Sequence, residues 1–386
     1  MRDFVFHAPT EICFGREQVS HLAELSAFGS RALLVYGGGS IKRNGIYDDV
    51  MGVLAGAGIE VEELAGVEPN PRIATVRRGV ALCRERGVDM VLAVGGGSAI
   101  DCSKAIAAGV PYEGDPWDLV MDHSLVKAAL PVACVVTLAA TGSEMNGNAV
   151  ISNPDIPAKL AVKSPLLCPR IAILDPTYTL TVPRRQTAAG VADMMSHTFE
   201  NYFTLEPACD VQRRMAEGLL RTMIKYGPIA LAHPDDYDAR ANLMWAATHA
   251  INGIVSQGSA PAWSCHPIEH ELSAYYDITH GEGLAVVTPV WMEHVLGVDT
   301  VVPFAEYGRN VWGLVGADDM AVAHEAIACT RRFLFQDLGI APNLRGLGIP
   351  DESHFGDMAD HMWWRTEKSF VPLSRDDVVA ILHDAF

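Results

Sequence analysis

The stretch DMVLAVGGGSAIDCSKAIA, residues 89–107, decides the fold. Met90 to Val94 is a short apolar run of the kind that forms a buried strand. Gly95, Gly96, Gly97 and Ser98 then make a turn, and the residues from Ala99 onward read as a helix. Strand, glycine turn and helix in that order make a phosphate cradle, because missing side chains let a pyrophosphate approach backbone N–H groups and the helix N-terminus. The stretch is neither GxGxxG nor a P-loop with its Lys-Ser/Thr, so on its own an ordinary tight turn explains it equally well. A second copy, ALLVYGGGSIKRNG at residues 32–45, places Gly37, Gly38, Gly39 and Ser40 after an earlier strand. The pair is more telling than either copy.

Outward from these turns, residues 32 to about 175 alternate short apolar runs with helical stretches: ALLVY then YDDVMGVLAGAG, and IEVEEL then ATVRRGVALCRERG. Later runs PVACVVT and IAILDP extend the pattern. Such alternation builds crossover units on a parallel sheet, so the first half is expected to be a Rossmann-like α/β domain. Between those later runs, TGSEMNGNAVISNPDIPAKLAVKS has the mixed polar character of an excursion across the top of the sheet. Beyond residue 181, QTAAGVADMMSHTFENYF, CDVQRRMAEGLLRTMIKYG and DDYDARANLMWAATHAINGIV carry helical periodicity with few strand signals. TVPRR at 181–185 marks the change. The expected division is a dinucleotide-binding α/β domain over residues 1–181 and an all-α metal-binding domain over 182–386, with a cleft where loops join the halves.

The size of 386 residues suits two domains with substantial cores. No apolar run approaches the length needed to cross a bilayer. The start, MRDFVFHAPTEICFG, contains an acid and alternates like a strand rather than resembling a signal peptide, so the expected location is cytoplasmic. A formal net charge of −18 argues against nucleic-acid binding, and no membrane partner is expected. The eight cysteines are scattered without a CxxC pair, which reads as reduced thiols. Cys265 adjoins His266, but a buried, inert cysteine is the more frequent case, and it is left out of the site.

A second set of residues points to a metal. Asp193 and His197 share one helix face, and His266, His270 and His280 follow in SCHPIEHELSAYYDITHGEGLA. Carboxylate and imidazole suit a borderline divalent ion such as Fe²⁺ or Zn²⁺. Four of the five could close on one ion, and spacing leaves open which one stands aside, since His266 and His270 also share a face. For the nucleotide, an acid at the end of a dinucleotide-fold strand binds the ribose 2′-OH. Here glycine and serine fill that turn, with Lys42 and Arg43 just beyond, which leaves room for a 2′-phosphate and favours NADP(H) over NAD(H). Both cations on a solvated helix start is the plainer alternative.

These motifs together resemble the iron-containing (group III) alcohol dehydrogenase family, most of all its NADPH-dependent butanol dehydrogenase branch. The resemblance runs nearly end to end and is carried by VYGGGSIKRNGIYD, GVEPNPR, AVGGGSAIDCSKAIAAG, TLAATGSEMN, AILDPTYTLTVP, QTAAGVADMMSHTFENYF and SCHPIEHELSAYYDITHGEGLA. It implies that Asp193, His197, His266 and His280 hold the metal, while His270 stands near nicotinamide and substrate. It further implies Gly38, Gly39 and Ser40 at the adenosine ribose with Asn70 nearby, and Gly95, Gly96, Gly97 and Ser98 on the pyrophosphate. Asp101, Thr137, Thr141, Ser143, Asn146 and Lys159 would surround the rest. Where the family often writes TTxGTGSE, this chain has TLAATGSE, so Leu138 and Ala140 replace a hydroxyl and a glycine.

The reaction implied is reversible hydride transfer between NADP(H) and a short aldehyde or primary alcohol such as butanal or butanol, with His270 as a proton relay or an orienting group for the nicotinamide. Phe199, Trp263 and Met145 fit a small aliphatic substrate or a core equally, and no basic cluster offers to bind an anionic one. Trp363 and Trp364 read as packing or subunit contacts. Two rivals are a lyase or cyclase of dehydroquinate-synthase type, which would need polar and basic groups for a polyhydroxy acid, and a non-catalytic protein with a vestigial site. The resemblance also implies a homodimer, with edge pairing of the N-terminal strand VFHAPTEICFG as its route.

Overall fold

A computed structural model describes residues 1–204, 208–259 and 263–386. The chain divides into two compact units, one of His7–Val182 with Pro234–Thr248, the other of Met1–Phe6, Pro183–His233 and His249–Phe386. Two segments therefore depart from a plain division near residue 181. Residues 234–248 join the sheet unit because Met244 is buried in one cluster with Ala93, Ile100 and Leu174. Residues 1–6 join the helical unit, where the Arg2 N–H donates to the Gly258 carbonyl at 2.8 Å. An apolar helix face reads the same in sequence whichever core it enters, so periodicity could not reveal the first exchange.

In the sheet unit, strands β1 (Glu11–Phe14), β2 (Arg31–Val35), β3 (Glu60–Leu64), β4 (Met90–Gly95) and β5 (Val132–Val136) precede a hairpin of β6 (Asn148–Asn153) and β7 (Ala158–Lys163), and β8 (Ile171–Leu174) follows it. Six of them form one sheet in the order β1-β8-β5-β4-β2-β3, every pairing parallel. β4 and β5 are buried at every position, which is why their sequences run apolar without alternation. The chain leaves β2 for β3 on one side and returns to β4 on the other, so β2 and β4 flank a topological switch point. They pair directly, with Val35 opposite Ala93, and each is followed by a glycine turn at its C-terminal end. This is where doubly wound sheets bind ligands.

The segment read as a polar excursion contains the antiparallel β6–β7 hairpin. β6 alternates between buried and half-buried residues, and Ala149, Ile151 and Val162 enter the core formed with Val76, Val80 and Ile106. Its asparagines and serine lower strand propensity, and this masked the alternation.

The helical unit is organised around the helix Arg184–Tyr202, buried at every position from Thr187 to Tyr202. At its C-terminal end Phe199, Tyr202 and Phe203 pack with Phe304 and Tyr307 through stacked and edge-on rings. The helix His280–Val295 crosses it closely: a Cβ on Gly281 would lie 2.0 Å from the Ala189 carbonyl oxygen. Only glycine permits that approach, which brings the start of one helix against the middle of the other. Trp363 and Trp364 are 37% and 54% exposed, so each is only partly packed within the described chain. Their neighbour Arg365 instead reaches back to Glu271 at 3.8 Å.

Candidate metal centre and dinucleotide site

In the helical unit, Asp193 and His197 lie one turn apart on the buried helix, His266 sits in the first turn of the helix Cys265–Tyr276, and His280 opens the helix His280–Val295. Asp193 Oδ1 is 3.6 Å from His197 Nδ1, 3.9 Å from His266 Nε2 and 3.7 Å from His280 Nε2. Those gaps are too long for hydrogen bonds. They approach the ~3.4 Å between neighbouring donors on a four-coordinate ion with bonds of about 2.0–2.1 Å. His197 and His266 are 4% and 3% exposed, and His197 Nδ1 and His266 Nε2 are buried without a hydrogen-bond partner. Buried polar atoms left this way each cost about 1–3 kcal/mol, a penalty that coordination would relieve. Burial, followed by the neighbouring imidazoles of His266 and His280, pushes His197 well below its ordinary value. It therefore stays neutral, as a metal ligand must be. The residues present fit a single divalent ion.

Two carboxylates behind the histidines set which ring nitrogen faces inward. Glu200 accepts from the backbone N–H groups of Ser264 and His266 at 2.8 and 2.9 Å and from His266 Nδ1 at 3.2 Å, leaving Nε2 turned toward Asp193. Glu269, fully buried, accepts from His280 Nδ1 and from the Ser273 hydroxyl. Gly283 makes room for it, since a Cβ there would fall 2.8 Å from Glu269 Cγ. Carboxylate–histidine pairs of this kind fix the tautomer and raise the basicity of a ligand. Sequence reasoning passed over both acids, although each lies three residues after one of the histidines.

His270 is half-buried, its ring 5.4 Å from that of His280 and 6.3 Å from that of His266, and it groups with Glu269 and His280. Trp263 lies over the histidines, 4.5 Å from the His266 ring and 5.6 Å from the His197 ring. Phe199 belongs to the aromatic core instead. Burial raises the Cys265 thiol well above its usual range, which makes it inert.

In the sheet unit, the turn after β4 is tightly enclosed. A Cβ on Gly97 would meet Thr141 at 2.4 Å and one on Gly96 would meet Leu138 at 3.1 Å, so the glycines let residues 137–141 close over the turn. Thr137 N donates to the Gly95 carbonyl at 3.0 Å. The Ser98 hydroxyl donates to the Pro69 carbonyl, which brings EPNP and the buried Asn70 beside the same turn. Asp101 accepts from the Ser143 hydroxyl at 2.6 Å and from Val150 N at 2.8 Å, and Asn146 closes its own loop by donating to the Gly142 carbonyl at 2.9 Å. Lys159 is buried on β7. The turn after β2 is open: Gly38 and Gly39 have free space where a Cβ would stand, and Gly39 adopts φ +83.

No carboxylate sits in the turn after β2, but Glu63 of the neighbouring β3 reaches it, 2.9 Å from Lys42 Nζ. Glu63 also accepts from Tyr36 at 2.6 Å and Tyr47 at 2.5 Å, and the Lys42 ammonium lies 4.2 Å from the Tyr47 ring centre. Partial burial raises the Glu63 carboxyl, but these hydrogen bonds and the lysine outweigh it and bring it down to about 2. Lys42 is therefore already paired, and Arg43 is exposed, touching only the Gly39 carbonyl at 3.4 Å among its described contacts.

The chain matches the family model for iron-containing alcohol dehydrogenase over residues 9–176 and that for the C-terminal part of the Fe-containing alcohol dehydrogenase family over residues 187–386. It is similar to NADH-dependent butanol dehydrogenase B of Clostridium acetobutylicum, 56% identical over 354 residues that cover 91% of each chain. It is also similar to the NADPH-dependent aldehyde reductase YqhD of Escherichia coli, 42% identical over 92% of this chain and 91% of that one. Among solved structures, NADH-dependent butanol dehydrogenase A of Thermotoga maritima matches with a TM-score of 0.94 at 40% identity, covering 100% of this chain and 99% of the other. With both halves matched, the chain belongs to the iron-containing alcohol dehydrogenase family, whose members are oxidoreductases.

Proposed function

We propose that this protein interconverts short, uncharged aldehydes such as butanal with primary alcohols, using NADP(H) and one divalent ion held by Asp193, His197, His266 and His280. The observation that carries the reading is the approach of three imidazole nitrogens to a single Asp193 oxygen within 3.9 Å. When bound, the ion supplies Lewis acidity toward the substrate oxygen and the nicotinamide carries the hydride. Fe²⁺ is the expected ion, and Zn²⁺ suits the same donors. Glu200 and Glu269 hold two of the ligand rings in the tautomer that coordination needs. His270 relays the proton between the substrate oxygen and solvent, since a neutral imidazole can accept and donate near neutral pH. An unaltered rate and pH profile in His270→Ala would remove it from that role.

On the sheet unit, Gly38, Gly39, Ser40 and Asn70 meet the adenosine ribose, Gly95 to Ser98 meet the pyrophosphate, and Asp101, Thr137, Thr141, Ser143, Asn146 and Lys159 meet the remainder. NADP(H) is the preferred dinucleotide, by a margin that Glu63 narrows because it competes with a 2′-phosphate for Lys42. The names of the relatives divide on this point, NADH for the butanol dehydrogenase and NADPH for the aldehyde reductase.

The reading as a lyase or cyclase is not favoured. Glu200 and Glu269, the carboxylates that hold the ligand histidines, offer a polyhydroxy acid no cation, and the relatives are named as butanol dehydrogenases and an aldehyde reductase. Among the described residues no helix is long and apolar enough to cross a membrane. The homodimer would form through β1, an edge strand that pairs with β8 alone in the sheet and ends at Phe14, exposed beside the exposed Trp245. A solution mass of one chain would refute it. The function is tested by following NADPH absorbance with butanal and with charged sugar phosphates. Metal-dependent oxidation with butanal supports the proposal, and faster turnover of the charged substrates overturns it.

A further inference from the structure

Lys104 has no part in the chemistry above, yet it is a lysine with no exposed surface, in the middle of the helix Gly97–Gly109. A buried ammonium persists only where its charge and its protons are satisfied. Five oxygens surround Lys104 Nζ: the Ser143 carbonyl at 2.6 Å, the Ser143 hydroxyl, Asn146 carbonyl and Asn148 carbonyl each at 2.8 Å, and Asn146 Oδ1 at 3.3 Å. Three protons face five acceptors, an excess that marks a cage for a cation rather than a chance contact. All five belong to one segment, Ser143–Asn148. Three of the oxygens are backbone carbonyls, at the start of a 3₁₀ turn (Ser143–Met145), at Asn146 and at the first residue of β6, so one ammonium ties the turn to the strand.

Asp101, one turn earlier on the same helix, takes the Ser143 hydroxyl and the Val150 N–H, so the two charged residues grip both ends of the segment. Burial lowers the Lys104 pKa and raises that of Asp101, and the charge of each works against the other's loss, as do the hydrogen bonds Asp101 accepts from Ser143 and Val150. Gly147 is pressed against the Ser164 carbonyl, 2.2 Å from where a Cβ would stand, which leaves the segment little freedom on its other side.

We propose that Lys104 is a positioning residue for the dinucleotide: by gathering the carbonyls of Ser143, Asn146 and Asn148 it fixes the segment that presents Ser143 and Asn146 to the cofactor. The proposal rests on the reading that this unit binds NADP(H).

The test is a fluorescence titration of NADPH into metal-loaded wild type, Lys104→Met and Lys104→Gln, with circular dichroism, metal content and steady-state rates measured alongside. The methionine variant should bind NADPH roughly 10- to 100-fold more weakly, the scale of losing one or two hydrogen bonds to the cofactor. KM for NADPH should rise with it while kcat changes far less and metal content stays constant. The glutamine variant, which keeps two donors without the charge, should fall between. A folded methionine variant that binds NADPH within about twofold of wild type, with only its thermal midpoint lowered, would overturn the proposal. If the methionine variant does not fold, the glutamine variant carries the test, and wild-type affinity there overturns it equally. No NADPH binding by wild type would instead overturn the dinucleotide reading beneath it.

Discussion

Glu269 and His280 are joined through the imidazole Nδ1, and the opposite nitrogen of the same ring stands 3.7 Å from Asp193 Oδ1. A buried carboxylate thus sets the direction in which His280 offers its lone pair. Glu269→Ala should weaken metal affinity by about 10- to 100-fold. Glu269→Gln, which still accepts the Nδ1 proton, should lose less. Competition with a chromophoric chelator reads this directly, and unaltered affinity in the alanine variant would contradict the assigned role.

Gly281 sets the distance between the helices that bear Asp193 and His280. A methyl there would meet the Ala189 backbone carbonyl at 2.0 Å, which no side-chain rotation can relieve. Gly281→Ala should cost about 1–3 kcal/mol in urea unfolding and lower metal occupancy, because His280 moves with its helix. Wild-type stability with full metal content would show that the helices separate without consequence.

Glu63 and Lys42 form the charge pair beside the open glycine turn. Glu63→Gln should raise the NADPH to NADH ratio of kcat/KM by roughly fivefold, the scale of one exposed ion pair. An unchanged ratio would mean that the 2′-phosphate never reaches Lys42.

The same carboxylate gives a stability signature in acid. Its folded pKa of about 2 lies below the ordinary glutamate value, so the folded state binds fewer protons across the interval between them. The stabilisation is therefore complete above about pH 4.5 and is lost as pH falls toward 2. With 34% of the side chain exposed, screening limits it to about 1 kcal/mol or less. Wild type should exceed Glu63→Gln in urea stability at pH 7, and the difference should shrink steadily below about pH 4.5 and vanish only near pH 2. A constant difference across that range would exclude a depressed carboxyl.

The parts legible in the sequence were those fixed by local pattern. β4 and its glycine turn follow from a run that can only be buried, and the Asp193–His197 pair follows from helical spacing. What stayed hidden depends on neighbours distant in the chain. Glu63 reaches Lys42 only because β3 lies beside β2, and an acid on a strand carries no mark of the loop it will meet. Glu200 and Glu269 act on particular ring nitrogens, and sequence does not encode ring orientation. Lys104 reads as a surface lysine in a helix of small residues until the Ser143–Asn148 segment is folded over it. The β6–β7 hairpin escaped because its polar residues obscure the alternation.

The proposed reaction requires one ion per chain acting together with a nicotinamide. Fe²⁺ titrated into chelator-stripped protein, with butanal-dependent NADPH oxidation followed at each step, tests this most directly. Activity should rise from near zero to a plateau at one ion per chain, and His266→Ala should stay flat throughout. Full turnover in the stripped protein, or wild-type activation of His266→Ala, would contradict it.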